Sequence, residues 1–225
     1  MDKIFIIIPC YNEKEVIRNT ILPLMALPYE VVVVDDGSAE NILEEIDDLN
    51  IHFLRHPVNL GQGAALQTGM DYAYQCEADF LVHFDADGQH QISDLEKMLK
   101  PLLENTCDVV LGSRFLNDQT KSEVPFYKRI LLQSAKLVNG LFTGIWLSDA
   151  HNGFRALNRE AFSKIRLEEN NMVHATEIIQ QIKQHELRYQ EVSTEIIYTE
   201  YSKQKGQSPL NAISIFIDLI LKKLL

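Results

Sequence analysis

The chain has 225 residues, of which 46% are hydrophobic and 24% charged, with a formal net charge of −11 at pH 7. This length and apolar content suffice for a sizeable core and exclude a disordered chain. The acidic balance argues against a nucleic-acid partner, because a groove that neutralises backbone phosphates needs a basic face. An odd number of scattered cysteines predicts reduced thiols rather than disulfides or metal ligands; they are Cys10, Cys76 and Cys107.

The first half of the chain alternates short apolar runs with stretches of helical spacing. The predicted strands cover residues 4–8, 30–34, 51–54, 80–84 and 108–111. Asn12 with Glu15, and Ser93 with Glu96, have the spacing of capping boxes that begin two helices. Strands that alternate with helices in this way predict right-handed crossovers and a mostly parallel α/β sheet.

The regular alternation of predicted strands and helices ends after Arg114. The expected elements are a polar loop over 117–125, a helix over 126–142, irregular structure over 149–155, a helix over 176–186, two short strands around 189–198, a loop over 201–208 and a last helix over 210–225. No repeat or linker interrupts this order, so a single domain is predicted. No signal-peptide pattern and no run of roughly 18 apolar residues is present, which predicts a cytoplasmic chain without a membrane span.

Two acidic clusters stand where apolar strands end. Asp35 and Asp36 follow one strand, and Asp85 and Asp87 follow another. Open α/β sheets bind ligands at the carboxyl ends of their strands. Because Asp85 and Asp87 are two residues apart, an extended backbone points both carboxylates the same way, where they can share one hard divalent cation. The clusters predict an enzyme that handles a metal-bound phosphate compound, although each alone is also typical of a solvated turn.

Six motifs in order carry a family resemblance. They are Pro9-Cys-Tyr-Asn-Glu13, Val34-Asp-Asp-Gly-Ser38, Asn59-Leu-Gly-Gln-Gly-Ala64, Asp85-Ala-Asp-Gly-Gln89, Gly112-Ser-Arg114 and Asn152-Gly-Phe-Arg155. From about residue 3 to 208 the chain resembles family 2 glycosyltransferases of the GT-A fold, and most of all the dolichyl- or polyprenyl-phosphate sugar synthases. The resemblance implies a nucleotide-sugar-binding half over 1–115, an acceptor half over 116–208 and an amphipathic helix over 209–225.

The resemblance also implies residues for the donor. Nucleotide-sugar contacts are expected from Pro9, Tyr11, Glu13, Asp35, Asp36, Gly63, Asp85, Ala86 and Asp87. In the related synthases Mg²⁺ or Mn²⁺ lies on the diphosphate, and the matching ligands here are Asp85, Asp87 and Gln89. The chain departs from its relatives at Gln62, where they often carry Lys, which puts one phosphate or base contact in doubt.

For the acceptor, the resemblance implies a set of cations around Asp149, the expected catalytic residue. Phosphate contacts are expected from Arg114, Arg129, Arg155, Lys203 and Lys205. Asp149 would act as a base toward a hydroxyl acceptor, or orient an acceptor that is already an anionic phosphate. A surface salt bridge is the alternative for Arg114, and a solvated basic loop for Lys203. His151 is expected to pack or hydrogen-bond rather than to bind a metal, and so are His83, His90 and His174.

The function implied is inverting transfer of a hexose from a UDP-sugar to a polyprenyl phosphate, in cell-surface polysaccharide or glycoconjugate synthesis. Two alternatives stay open: a saccharide hydroxyl as the acceptor, and a catalytically silent nucleotide-sugar-binding scaffold. The last helix has a wide apolar face, which predicts burial against the core, a second copy or a protein partner, or else peripheral attachment to the cytoplasmic membrane face through Lys222 and Lys223.

Overall fold

A computed structural model describes residues 2–116, 140, 143–150, 152–170 and 173–197. Its strands are β1 (Ile4–Cys10), β2 (Glu30–Asp35), β3 (His52–Arg55), β4 (Phe80–His83), β5 (Val109–Ser113), β6 (Arg155–Asn158) and β7 (Tyr189–Ser193). Its helices are α1 (Lys14–Ile21), α2 (Gln62–Gln75), α3 (Asp94–Leu103), α4 (Arg159–Lys164) and α5 (His174–Gln184), with 3₁₀ turns at Leu22–Ala26 and Leu43–Glu45. The predicted loops over 117–125 and 201–208 and the last helix lie outside the described residues, as does nearly all of the helix over 126–142.

Within these ranges the seven strands form one sheet in the order β3-β2-β1-β4-β6-β5-β7. Only β6 runs against its neighbours, and it pairs antiparallel with both β4 and β5. The predicted mostly parallel α/β architecture is therefore confirmed. The sequence analysis missed β6, because a four-residue strand that begins with an arginine has too little apolar pattern to be recognised.

Both faces of the sheet are covered, so alternate residues of one strand enter opposite cores. In β1, Phe5 and Ile7 join the core beneath α2 and α5, whereas Ile6 and Ile8 join the core beneath α1 and α3. Burial on both sides explains why β1 and β2 are continuous runs of Ile and Val rather than alternating patterns.

Two details of the predicted elements differ from the structure. The capping box at Asn12 is wrong: α1 begins at Lys14, and the Asn12 side chain accepts a hydrogen bond from the Ala39 amide at 2.9 Å instead. Ser93 does occupy the N-cap position of α3, although its side chain makes no capping bond. The second of the two strands predicted around 189–198 is reduced to a single bridge between His90 and Ile196.

The sequence also led to predictions about membrane-spanning helices and about the state of the cysteines. None of the helices in the described ranges is long and apolar enough to cross a bilayer. All three cysteines lie in those ranges, and none forms a disulfide. The reduced state expected of these thiols stays a prediction.

Candidate active site

The polar motifs meet at one edge of the sheet because of strand direction. β1, β2, β4 and β5 run the same way, so their carboxyl ends lie at the same edge. β6 runs the opposite way, which brings its amino-terminal end to that edge as well. The register pairs Arg155, the first residue of β6, with His83, the last residue of β4. Segments far apart in sequence therefore converge around the loop 85–90, which we call the acidic loop.

Asp85 is held from both sides in the acidic loop. Its Oδ1 accepts a hydrogen bond from Gln62 Nε2 at 3.1 Å, and its Oδ2 lies 3.0 Å from His90 Nε2. A Cβ atom at Gly153 of the Asn-Gly-Phe-Arg motif would lie 2.4 Å from Asp85 Oδ2, so a larger residue there would displace this carboxylate. Gln62, the departure from the resembled family, is thus a hydrogen-bond donor to this carboxylate.

Among the described residues, Gln89 supplies the hydrogen bonds to Asp87. The Gln89 backbone amide donates to Asp87 Oδ1 at 3.1 Å, and its side-chain amide donates to Oδ2 at 2.7 Å. Burial, with a further contribution from the negative charge of Asp85, raises the pKa of Asp87 to about 6. Burial opposes ionisation of Asp85 too, but the hydrogen bond with His90 and the nearby positive charges keep the Asp85 pKa below its usual range.

These residues fit a divalent cation bound together with a diphosphate. Two carboxylates and the remaining amide oxygen of Gln89 are hard oxygen donors. In the described part of the chain, no group of three or more His, Cys, Asp or Glu side chains forms a candidate metal site. A cation held only by Asp85, Asp87 and Gln89 would therefore need substrate oxygens to complete its shell, which is how Mg²⁺ is usually bound beside phosphates.

The backbone of the acidic loop is fixed by a residue that sequence reasoning missed. Thr20, near the end of α1, donates a hydrogen bond from Oγ1 to the Ala86 carbonyl at 3.0 Å. Thr20 is buried, and Ala86 is 4% exposed. The sequence shows no signal for this contact, because the two residues belong to elements joined only by the fold.

Asp36 takes part in shaping the loop 58–61. Its Oδ1 accepts from the Leu60 amide at 2.9 Å and lies 2.7 Å from His56 Nδ1, and its Oδ2 accepts from the Gly61 amide at 2.7 Å. Asp35 Oδ1 accepts from the Ser38 amide at 3.0 Å. Asp35 Oδ2 lies 3.3 Å from the Arg55 guanidinium and is buried without a hydrogen bond from the described residues. The nucleotide contacts expected of both aspartates stay predictions.

The other expected donor residues differ in exposure. Tyr11 is 46% exposed directly after β1, so its ring is open to a ligand. Glu13 is half-buried at the start of α1, and its charge acts on Asp87. Pro9 is buried within β1, and Gly63 in the first turn of α2 donates its amide to the Asn170 carbonyl at 3.0 Å. Tyr11 is therefore the most accessible of these four.

Of the residues expected to serve the acceptor, the structure brings Asp149 and Arg114 together. Arg114 Nε donates to Asp149 Oδ2 at 2.6 Å, and Arg114 Nη2 donates to Oδ1 at 2.8 Å. The adjacent Ser148 donates its backbone amide and its hydroxyl to Glu191 Oε1, at 2.8 and 2.6 Å. Sequence reasoning named Asp149 and Arg114 for separate roles and did not identify their pairing or Glu191, a residue of β7.

Arg155 lies beneath this edge rather than on it. Only 2% of its surface is exposed, and its Nη1 makes no hydrogen bond with the described residues. Burial lowers its pKa to about 10, opposed by the negative charges of Asp85 and Asp149. Burial and the charge of Arg155 also lower the pKa of neighbouring His83 to about 3, so His83 is neutral. Arg155 thus places a buried positive charge near the carboxylates of both Asp85 and Asp149.

Four residues singled out in the sequence lie outside the described ranges: Arg129, His151, Lys203 and Lys205. The phosphate contacts expected of the three cations among them stay predictions.

Comparison with known proteins identifies the family of the chain. Residues 5–166 match the sequence profile described as Glycosyl transferase family 2. The chain belongs to this family. A family 2 member in Methanococcus voltae, named UDP-N-acetylglucosamine–dolichyl-phosphate N-acetylglucosaminyltransferase, is 30% identical over 241 residues, covering 98% of this chain and 96% of that protein. Dolichol-phosphate mannosyltransferase of Pyrococcus furiosus is 28% identical over 224 residues, covering 95% of this chain and 61% of that protein.

Solved structures of glycosyltransferases share the fold. The crystal structure of glucosyl-3-phosphoglycerate synthase of Mycobacterium tuberculosis has a TM-score of 0.69 with 17% identity, covering 97% of this chain and 78% of that one. The same enzyme in complex with Mn²⁺, UDP and glucosyl-3-phosphoglycerate has a TM-score of 0.65 with 18% identity, covering 97% of this chain and 80% of that one. The GT-A fold and the glycosyltransferase family predicted from the motifs are therefore confirmed.

Proposed function

We propose that this glycosyltransferase moves a hexose from a UDP-sugar to a polyprenyl phosphate, with Mg²⁺ or Mn²⁺ held by Asp85, Asp87 and Gln89. The observation that carries the proposal is the placing of Asp85 and Asp87 at the same sheet edge as the pair of Arg114 and Asp149. The match over nearly the full length to an enzyme named for a UDP-sugar donor and a dolichyl-phosphate acceptor supports the same two substrates here.

The pairing of Asp149 favours a phosphate acceptor over a saccharide hydroxyl. A hydroxyl needs a general base to remove its proton as it attacks. Both oxygens of Asp149 accept hydrogen bonds from Arg114, and its side chain is 1% exposed, so the carboxylate is already engaged and enclosed rather than open to an incoming hydroxyl. An acceptor phosphate is already anionic at neutral pH and needs no base, so Asp149 would orient Arg114 toward that phosphate.

In the proposed reaction, an acceptor phosphate oxygen bonds to the anomeric carbon while the bond from that carbon to the UDP oxygen breaks, with inversion. The bound cation would offset the charge that develops on the departing UDP. Arg155 would assist from within the protein, because its buried positive charge offsets the negative charge of the neighbouring carboxylates. Tyr11, exposed at the end of β1, is available to contact the nucleotide.

We place the reaction at the cytoplasmic face of the membrane, with the chain attached peripherally. A polyprenyl-phosphate acceptor would be embedded in the bilayer, so the enzyme must reach the membrane surface. A pathway of cell-surface polysaccharide or glycoconjugate assembly would consume the sugar-linked lipid.

The experiment is a transfer assay with product analysis by mass spectrometry. The purified chain is incubated with Mn²⁺, a panel of UDP-sugars that begins with UDP-N-acetylglucosamine, and either a polyprenyl phosphate or the matching polyprenol. Glycosylated polyprenyl phosphate is expected, without product from the polyprenol. Asp87→Asn should abolish the product, because one metal ligand loses its charge, whereas Asp47→Asn, an exposed aspartate of the turn after Leu43–Glu45, should not.

Other products would contradict separate parts of the proposal. Transfer to a free saccharide but not to the lipid would identify a hydroxyl acceptor. UDP-sugar binding without transfer or donor hydrolysis would identify a silent scaffold. Full activity in excess chelator would exclude the metal role.

A further inference from the structure

His90 is the last residue of the acidic loop, and its side chain folds back to contact Asp85. Its ring is 6% exposed, and its Nε2 lies 3.0 Å from Asp85 Oδ2. We propose that His90 is a positioning residue, which fixes the Asp85 carboxylate so that Oδ1 is presented to the cation. This inference rests on the proposed function, in which Asp85 is a metal ligand.

The hydrogen-bond partners define which ring nitrogen of His90 carries the proton. Nδ1 is buried and has no hydrogen-bond partner among the described residues. A proton on Nδ1 would leave a buried donor unsatisfied, whereas a proton on Nε2 is donated directly to the Asp85 carboxylate. His90 therefore donates through Nε2 and acts on Asp85 through a directed hydrogen bond.

The His90 ring has little freedom to turn away from Asp85. The Phe154 ring lies 4.7 Å from the His90 ring between centroids, and the Phe84 ring lies 5.4 Å away in an edge-on arrangement. The backbone is held as well, because His90 bridges to Ile196 and the Gln89 carbonyl accepts from the Ile197 amide at 2.9 Å. The donor is thus preorganised before any ligand binds.

The consequence for Asp85 is that its two oxygens have different surroundings. Oδ2 is held by His90 and lies against Gly153, where even a Cβ atom would come within 2.4 Å. Oδ1 accepts one hydrogen bond, from Gln62 Nε2, and a carboxylate oxygen has a second lone pair. The Asp85 side chain is 30% exposed. Because Oδ2 is enclosed, Oδ1 is the oxygen available to a cation.

Two substitutions separate hydrogen bonding from packing. His90→Phe keeps an aromatic ring between Phe84 and Phe154 but removes the donor. His90→Gln keeps an N–H donor at a similar distance from the backbone but removes the ring. Partners that orient metal ligands typically contribute 10–100-fold to metal affinity. We therefore expect His90→Phe to weaken Mn²⁺ binding in the presence of UDP by about 10–100-fold, and His90→Gln to stay near the wild-type affinity.

Mn²⁺ binding is measured by the electron paramagnetic resonance signal of the free ion, and folding is checked by thermal unfolding of each variant. The matched control is His52→Phe, because His52 also stacks on a phenylalanine, Phe5, but lies in β3 away from the acidic loop. If His90→Phe does not fold, His90→Asn takes its place, because its amide is too short to reach Asp85 and should lose affinity.

The outcomes distinguish this inference from the proposed function. Wild-type protein that binds no Mn²⁺ with UDP overturns both. Wild-type binding together with unchanged affinity in folded His90→Phe, or in His90→Asn, overturns the role of His90 alone. The reverse order, in which His90→Phe retains affinity and His90→Gln loses it, shows that the ring only packs.

Discussion

At the scale of single residues, the two aspartates of the acidic loop are not equivalent. Asp85 is hydrogen-bonded by His90, and its pKa is below the usual range, so it is ionised throughout the neutral range. Asp87 is half-buried, and its burial together with the negative charge of Asp85 raises its pKa to about 6. A cation between them would remove the repulsion, so metal binding and proton release at Asp87 are linked.

The affinity for Mn²⁺ should consequently depend on pH through Asp87. Below about pH 6 a proton competes with the cation, so affinity should fall about tenfold for each further pH unit, and it should level off above pH 7. Calorimetric titration between pH 5 and 8 measures this. His90→Gln is the control: it should keep the slope, because the slope comes from protonation of Asp87. Equal affinity at pH 5 and 7 would contradict the assignment.

The raised pKa of Asp87 also determines whether the folded protein gains or loses stability as the pH rises. Folded Asp87 holds its proton more tightly than the unfolded chain does, since its pKa is raised. The metal-free protein should therefore lose stability as pH rises from about 4 to about 6, and bound metal should offset that loss.

At the scale of elements, the buried pair of Arg114 and Asp149 joins the end of β5 to the segment before β6. Their side chains are 15% and 1% exposed. Removing one partner of a buried pair leaves an uncompensated charge, whereas removing both does not. The pair should therefore behave as one unit in stability and in catalysis.

We expect Asp149→Asn and Arg114→Gln each to lower the free energy of unfolding by about 3 kcal/mol, and the double variant to lower it by less than the sum. UDP binding should survive in all three, while turnover falls strongly. Chemical denaturation and UDP calorimetry provide the measurements.

The matched control is Asp48→Asn, which breaks the equally bidentate but exposed contact with Arg18 and should change little. Additive losses in the double variant would show that Arg114 and Asp149 are independent.

Sequence reasoning predicted best the elements that have a strong local pattern. The β-branched runs of β1 and β2 and the carboxylates at the ends of strands could be read directly, because their signals lie within a few residues. β6 and the pair of Arg114 and Asp149 could not, because both depend on β6 inserting between β4 and β5. The contact of Thr20 with Ala86 was likewise invisible, since it joins two elements whose packing the sequence does not specify locally.

At the scale of the whole molecule, the net charge of −11 opposes any approach to an anionic membrane. Attachment would therefore depend on a local feature. The sequence supplies one in residues 210–225, with a wide apolar face and with Lys222 and Lys223 near the end.

We expect the full-length chain to float with liposomes that contain anionic lipid and a chain that ends at Pro209 to remain unbound. Lys222→Glu with Lys223→Glu should weaken flotation, because the positive charges that attract anionic headgroups are reversed. UDP binding by the truncated chain verifies that it is folded. A full-length protein that never floats, together with a truncated chain that cannot bind UDP, would show that these residues belong to the core.

The connection between β5 and β6 joins two strand ends that lie side by side, which affects how freely its length can change. Residues 114–154 leave and re-enter the sheet at the same edge, and the Gly112 amide donates to the Phe154 carbonyl at 2.9 Å where the two ends meet. Closing a loop between fixed ends costs little more as the loop lengthens. The length of this connection can therefore change at little cost while the strands on either side keep their register.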